Sequence, residues 1–128
     1  MNIIKFEDLP ISDEIKRSVA ELGFEEPSPI QAQSIPVILT GKDVIGQAQT
    51  GTGKTAAFSI PVLDMVDPNK KSVQAVVLCP TRELAIQVSS EMRKLGKYKS
   101  GKIYRLQGIL LLVVYIIYIS TLYFMYLA

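Results

Sequence analysis

The sequence predicts an α/β fold built on a short parallel sheet, with an apolar helix at the C-terminal end. Three observations carry that prediction. Strand-like and helix-like patterns alternate through residues 1–105. The run Ala75-Val76-Val77-Leu78 is apolar without interruption, as in a parallel strand covered on both faces. A glycine-rich stretch, 46–55, lies between a strand pattern and a helix pattern, which is where α/β units hold phosphate.

The elements follow in order. Ser12 is placed to cap a helix reaching about Leu22, with Ile15, Val19 and Leu22 on one face. Pro27-Ser28-Pro29 opens a second helix, with Ser28 as its cap and Pro29 at the first helical position. That helix runs toward Leu39 and is expected to be disturbed at Pro36. Gly41-Lys42-Asp43 is a turn, and Asp43 to Gln47 a short strand feeding the glycine-rich loop. A helix follows from Gly53 to about Val66, then a surface loop over 67–71. Val73 to Cys79 is expected as a buried strand. Thr81 starts a helix to about Leu95, with Leu84, Val88, Met92 and Leu95 turned inward.

The glycine-rich loop carries specific chemistry. In Gly46-Gln47-Ala48-Gln49-Thr50-Gly51-Thr52-Gly53-Lys54-Thr55, Gly51 and Gly53 let the backbone turn its N–H groups inward, where side chains would obstruct a phosphate. The following helix adds the positive end of its dipole. Lys54 is expected to reach the β- and γ-phosphates, and the Thr55 hydroxyl to ligate Mg²⁺. The ligand is therefore ATP or a close relative. The strict phosphate-loop pattern would have glycine where Ala48 stands, and a glycine turn before a capped helix is the alternative.

Composition narrows the classes further. The first 26 residues carry seven acids and three bases, whereas Met92 to Arg105 carries six bases and no acid. Such a run suits nucleic acid, an anionic lipid surface, or simply a solvated helix end. One cysteine, Cys79, leaves no internal disulfide partner and reads as a reduced, buried thiol in a cytoplasmic chain. With no histidine and no second cysteine, a zinc site is not expected. Residues 1–10 include Lys5, Glu7 and Asp8 and do not read as a signal peptide.

Three motifs together resemble the DEAD-box RNA helicases. Ala48-Gln49-Thr50-Gly51-Thr52-Gly53-Lys54-Thr55 is similar to that family's motif I, in which alanine opens the loop. Gly23-Phe24-Glu25-Glu26-Pro27-Ser28-Pro29-Ile30-Gln31 resembles its Q motif (residues 4–32 with the upstream Phe6), and Pro80-Thr81-Arg82-Glu83-Leu84-Ala85 its motif Ia. The resemblance covers residues 3 to about 105 and implies part of a RecA-like domain over 1–105. It implies that Gln31 reads the adenine edge, that Phe24 packs near the base and that Phe6 supports the motif. It also implies RNA-backbone contact at Pro80, Thr81, Arg82 and Glu83. A Gln amide, with one donor side and one acceptor side, matches adenine N6 and N7. On the residues alone, Ser28-x-x-Gln31 is equally a capping box, Thr81 a capping threonine and Arg82 a solvated arginine. A small-molecule kinase would not need Phe6 and Gln31 at this spacing.

The resemblance has limits. Asp-Glu-Ala-Asp, which holds Mg²⁺ and orients water in the family, does not occur here; the one Asp-Glu pair is Asp13-Glu14. Neither a Ser-Ala-Thr motif nor a second RecA-like domain is found, so negligible ATP hydrolysis and no RNA unwinding are expected. From about Arg105 the sequence departs from the family. Residues 109–128 are twenty positions without charge, proline or glycine. The tail 106–128 reads in three ways: a membrane-spanning helix of about 30 Å preceded by a cytoplasmic basic run, a frame-shifted or mis-joined end, or a buried core segment.

Overall fold

The computed structural model describes residues 5–99 and 118–127. Four α-helices form its body: α1 (Asp13–Glu21), α2 (Pro29–Leu39), α3 (Lys54–Met65) and α4 (Arg82–Leu95). A single 3-10 turn, Phe6–Asp8, precedes them. Helix starts fall where the caps predict, at Ser12, Ser28, Gly53 and Thr81.

Helix α1 buries Ile15 and Val19 completely, while Leu22, predicted on the same face, remains 39% exposed past the helix end. Asp13 and Glu14 sit in its first turn, where the helix dipole favours negative charge. Helix α2 continues through Pro36 to Leu39, so the expected disturbance does not end it. Helix α3 likewise runs through a buried Pro61. Of the inward set expected on α4, Val88 and Leu95 are buried and Met92 packs partly against the core, but Leu84 is exposed.

One apolar cluster joins these pieces. Phe6, Leu9 and Ile11 from the N-terminal segment meet Ile15 and Val19 of α1, Ile35 of α2, Ala56, Ile60 and Leu63 of α3, and Leu95 of α4. Polar ties set the angles between helices. The Ser12 N–H, at the head of α1, donates to Asp64 Oδ1 near the end of α3 at 3.0 Å. Beyond α4, Lys97 pairs with Glu21 at 2.9 Å, the Tyr98 hydroxyl donates to the same carboxylate, and the Arg17 guanidinium lies 4.0 Å from the Tyr98 ring centroid. The Tyr98 hydroxyl and the Lys97 ammonium hold the Glu21 carboxyl below its ordinary range, and Glu21 in turn raises Lys97. Lys99 donates to the Asp64 carbonyl, which fastens the end of this segment to α3.

The predicted sheet does not form among the described residues. Segments 43–47 and 73–79 run as irregular chain with no ladder. Val44, Ile45, Val73, Val76 and Leu78, which a sheet would have sheltered, are exposed. The reason is that a strand makes no hydrogen bonds within itself and two short strands alone are marginal in water. Their apolar pattern says what the segments offer to a sheet and cannot supply the neighbours. Cys79, expected to be buried, is half-buried for the same reason.

Most of the apolar tail, including 106–117, lies outside the described residues. Residues 118–127 are helical, and each is exposed, so this part is not core. No helix among the described residues is long and apolar enough to cross a membrane; most of the segment on which the spanning reading falls lies outside them.

Candidate nucleotide site

The glycine-rich loop turns as its sequence demands. Gly51 and Gly53 have φ of +81° and +80°, the left-handed region that side-chain-bearing residues avoid. Gly53 is the N-cap of α3, so Lys54 and Thr55 lie in the helix's first turn, whose N–H groups lack intrahelical partners. Ala48 needs no glycine, because the described residues hold no side-chain-bearing residue at positive φ. Its contribution is its carbonyl, which accepts from Lys54 Nζ at 2.7 Å across the loop. The Thr52 hydroxyl donates to the Gln49 carbonyl at 2.7 Å and closes the tip. Gln49, Thr50 and Gly51 are exposed on that tip, and Thr55 is half-buried.

Gln31 lies directly against this loop. Its side chain is buried, Oε1 accepts from the Ser28 N–H at 2.9 Å, and Nε2 donates to the Gly53 carbonyl at 3.1 Å. The first bond is the glutamine half of the capping box read from the sequence; the Ser28 hydroxyl on the other side is buried without a partner. The second bond had no sequence signal, because it spans 22 residues. The fit is close: a Cβ on Gly53 would stand 2.2 Å from Gln31 Nε2. Phe24 is 43% exposed and packs at a tilt against buried Phe6, with ring centroids 6.3 Å apart and planes at 39°, which gives a supported aromatic surface. Phe24, Gln31, Gly53 and Lys54 line one open cleft of about 1100 Å³, which residues of the 76–79 segment and of α4 line as well.

The motif Ia residues stand apart from the loop. Thr81 caps α4, its Oγ1 accepting from the Leu84 N–H at 3.2 Å. Pro80, Thr81, Arg82 and Glu83 are all exposed.

Comparison with known proteins then decides the family. The pattern described as DEAD/DEAH box helicase matches residues 28–110, more than half of the chain. The chain belongs to the DEAD/DEAH box helicase family. Among its relatives, the DEAD-box ATP-dependent RNA helicase CshA of Bacillus cereus is 58% identical over 103 residues, which is 80% of this chain and 20% of that protein. The Bacillus subtilis CshA is 52% identical over 105 residues, 82% of this chain and 21% of that protein. This DEAD-box chain thus spans about a fifth of the length of the curated relatives it matches. A solved DEAD box protein from Methanococcus jannaschii superposes with a TM-score of 0.69 at 43% identity, over 72% of this chain and 25% of that one. Dbp5 of S. cerevisiae, solved bound to RNA and ADP BeF3, gives 0.71 at 38% identity, over 73% of this chain and 25% of that one. The described helices therefore adopt the arrangement that these DEAD-box domains give them, even where strands are not formed.

Proposed function

We propose that this DEAD-box segment binds ATP with Mg²⁺ at the 48–55 loop, touches RNA backbone at the head of α4, and does not turn ATP over by itself. The observation that carries the reading is the junction at Gly53, where a left-handed turn, a helix N-terminus and the Gln31 amide meet in one cleft. The residues fit a triphosphate. Gly51 leaves open space where any other residue would place a Cβ, and the first turn of α3 presents N–H groups toward an anion. Lys54 exchanges the Ala48 carbonyl for phosphate oxygens, a stronger charge-assisted partner. Thr55 offers a hydroxyl to Mg²⁺; among the described residues no cluster of three acidic or thiol ligands stands ready for a metal, so phosphate and water supply the other ligands.

For RNA, the Thr81 hydroxyl caps through a lone pair and keeps its hydrogen free to donate to a phosphate. Arg82 beside it is exposed and, with the helix N-terminus, suits backbone rather than base contact. Hydrolysis is not expected, because the sequence lacks the Asp-Glu-Ala-Asp acids, and phosphoryl transfer rests on positioned charge. Titration of the 128-residue chain with a fluorescent ATP analogue tests the reading. Saturable, Mg²⁺-dependent binding that Lys54→Ala abolishes is the expected result; binding indifferent to that substitution sinks it.

A further inference from the structure

We infer that the Ser28 N–H and the Gly53 carbonyl together set base specificity by fixing which way round the Gln31 amide faces. The inference rests on the proposed adenine-nucleotide site and goes beyond it by naming what makes Gln31 selective. A glutamine amide is nearly symmetric in shape, so rotating it by half a turn exchanges donor for acceptor at no steric cost. A free glutamine can therefore turn its donor toward a base with oxygen at position 6 as readily as its acceptor toward adenine's amine. Gln31 is not free. Oε1 accepts from the Ser28 N–H at 2.9 Å, and Nε2 donates to the Gly53 carbonyl at 3.1 Å.

Rotation would set the NH₂ group against the Ser28 N–H and the amide oxygen against the Gly53 carbonyl. Both bonds would be lost and two like-polarity contacts made in a buried position, where unpaired polar groups are costly. The locked amide still has capacity to read a base. An amide oxygen accepts two hydrogen bonds and an amide nitrogen donates two, so one lone pair and one hydrogen remain after the protein bonds. These match the N6 amine and N7 of adenine. Inosine keeps N7 but carries oxygen at position 6, so the locked Oε1 would face another acceptor. Ser28 and Gly53 are thus positioning residues acting through Gln31, and they tie base identity to the same carbonyl that shapes the phosphate loop.

Ser28→Pro deletes one half of the lock: the N–H is gone and the ring Cδ takes the space in front of it, so Oε1 must leave that side and the amide is released to turn. Ser28 has φ of −63°, which proline adopts, and its hydroxyl makes no hydrogen bond that would be lost. The experiment measures affinities of the whole chain for ATP, ITP and tripolyphosphate. Wild type is expected to prefer ATP over ITP, and Ser28→Pro to reduce that ratio about tenfold, the worth of one neutral hydrogen bond. Tripolyphosphate has no base and should bind both forms alike, and Ser28→Ala should keep the full ratio. An undiminished ATP-to-ITP ratio in a Ser28→Pro chain that still binds tripolyphosphate overturns the lock and leaves the nucleotide site standing. Wild type that binds neither ATP nor tripolyphosphate overturns the site and the lock together. Should the proline variant not fold, side-chain amide NMR on wild type decides: Gln31 NH₂ hydrogens protected from solvent exchange well beyond those of exposed Gln33 support the lock, and equally fast exchange at the two residues overturns it.

Discussion

Gly53→Ala is expected to destabilise the chain well beyond Gly51→Ala, although both glycines have nearly the same φ, +80° and +81°. Alanine in that region costs roughly 1–2 kcal/mol at either position, and the lost flexibility of the unfolded chain offsets about 0.4–1 kcal/mol in both. Gly51→Ala should therefore cost about 1 kcal/mol net, because nothing lies within 4 Å of its new Cβ. At Gly53 the Cβ would meet Gln31 Nε2 at 2.2 Å and Cδ at 3.2 Å. The amide must withdraw and release both the Gly53 carbonyl and the Ser28 N–H, adding about 1 kcal/mol for each bond. The two variants should differ by about 2 kcal/mol, which at a urea slope of about 1–3 kcal/mol per molar separates their midpoints by on the order of 1 M. Far-UV circular dichroism in urea reads this directly. In a Gln31→Ala background the clash is absent, and Gly53→Ala should fall to the cost of Gly51→Ala. Equal midpoints for the two glycine variants in the wild-type background would refute the packing of Gln31 on the loop.

Three further outcomes are expected. Thr81→Ala should cost about 1 kcal/mol in unfolding free energy through the lost α4 cap; it should also weaken RNA binding measured by polarisation, whereas a purely structural cap predicts no RNA effect in the folded variant. The Glu21 carboxyl, held down by Tyr98 and Lys97, gives stability that is present above the ordinary carboxylate range and lost as pH falls through its depressed folded value. Urea midpoints measured from neutral pH into acid should show that loss in wild type and a shallower one in Glu21→Gln; matching acid limbs would remove Glu21 as a contributor. Incubation of the 128-residue chain with ATP and RNA should release phosphate no faster than buffer, and RNA-stimulated release would show that catalysis does not need the Asp-Glu-Ala-Asp acids.

Much of the helical body and the site was legible in the sequence because the signals are local. Ser12, Ser28 and Thr81 mark helix starts as residue types favoured at caps, and all three helices begin at the next residue, although only Thr81 makes the side-chain cap bond. Gly51 and Gly53 announce positive φ because no other residue type tolerates it cheaply. Gln31 shows the boundary. Its bond to Ser28 is a spacing of three and was readable as a capping box. Its bond to Gly53 crosses 22 residues and depends on how α2 packs beside α3, which no local pattern encodes. The Lys54 bond to the Ala48 carbonyl was hidden differently. A backbone acceptor leaves no trace in residue identity, because every residue would supply the same carbonyl there.

The strands failed for a reason that also bears on function. Val73 to Leu78 has the composition of a doubly covered strand, yet composition describes demand, and hydrogen-bonded neighbours must meet it. In the described residues that demand is unmet, and Val76 and Leu78, which line the same cleft as Gln31, are 59% and 77% exposed. At the cleft, Phe24 is supported by Phe6 and Gln31 is tied to Ser28, so these side chains are already held in contact. The 76–79 part of the lining is chain without a ladder. On the proposed reading, the 73–79 segment is the part of the cleft lining that a bound nucleotide has most room to order. Binding should bring order there: amide protection in 73–79 that rises on addition of ATP would show the wall forming on the ligand, and unchanged protection at saturating ATP would place recognition wholly on the loop and Gln31.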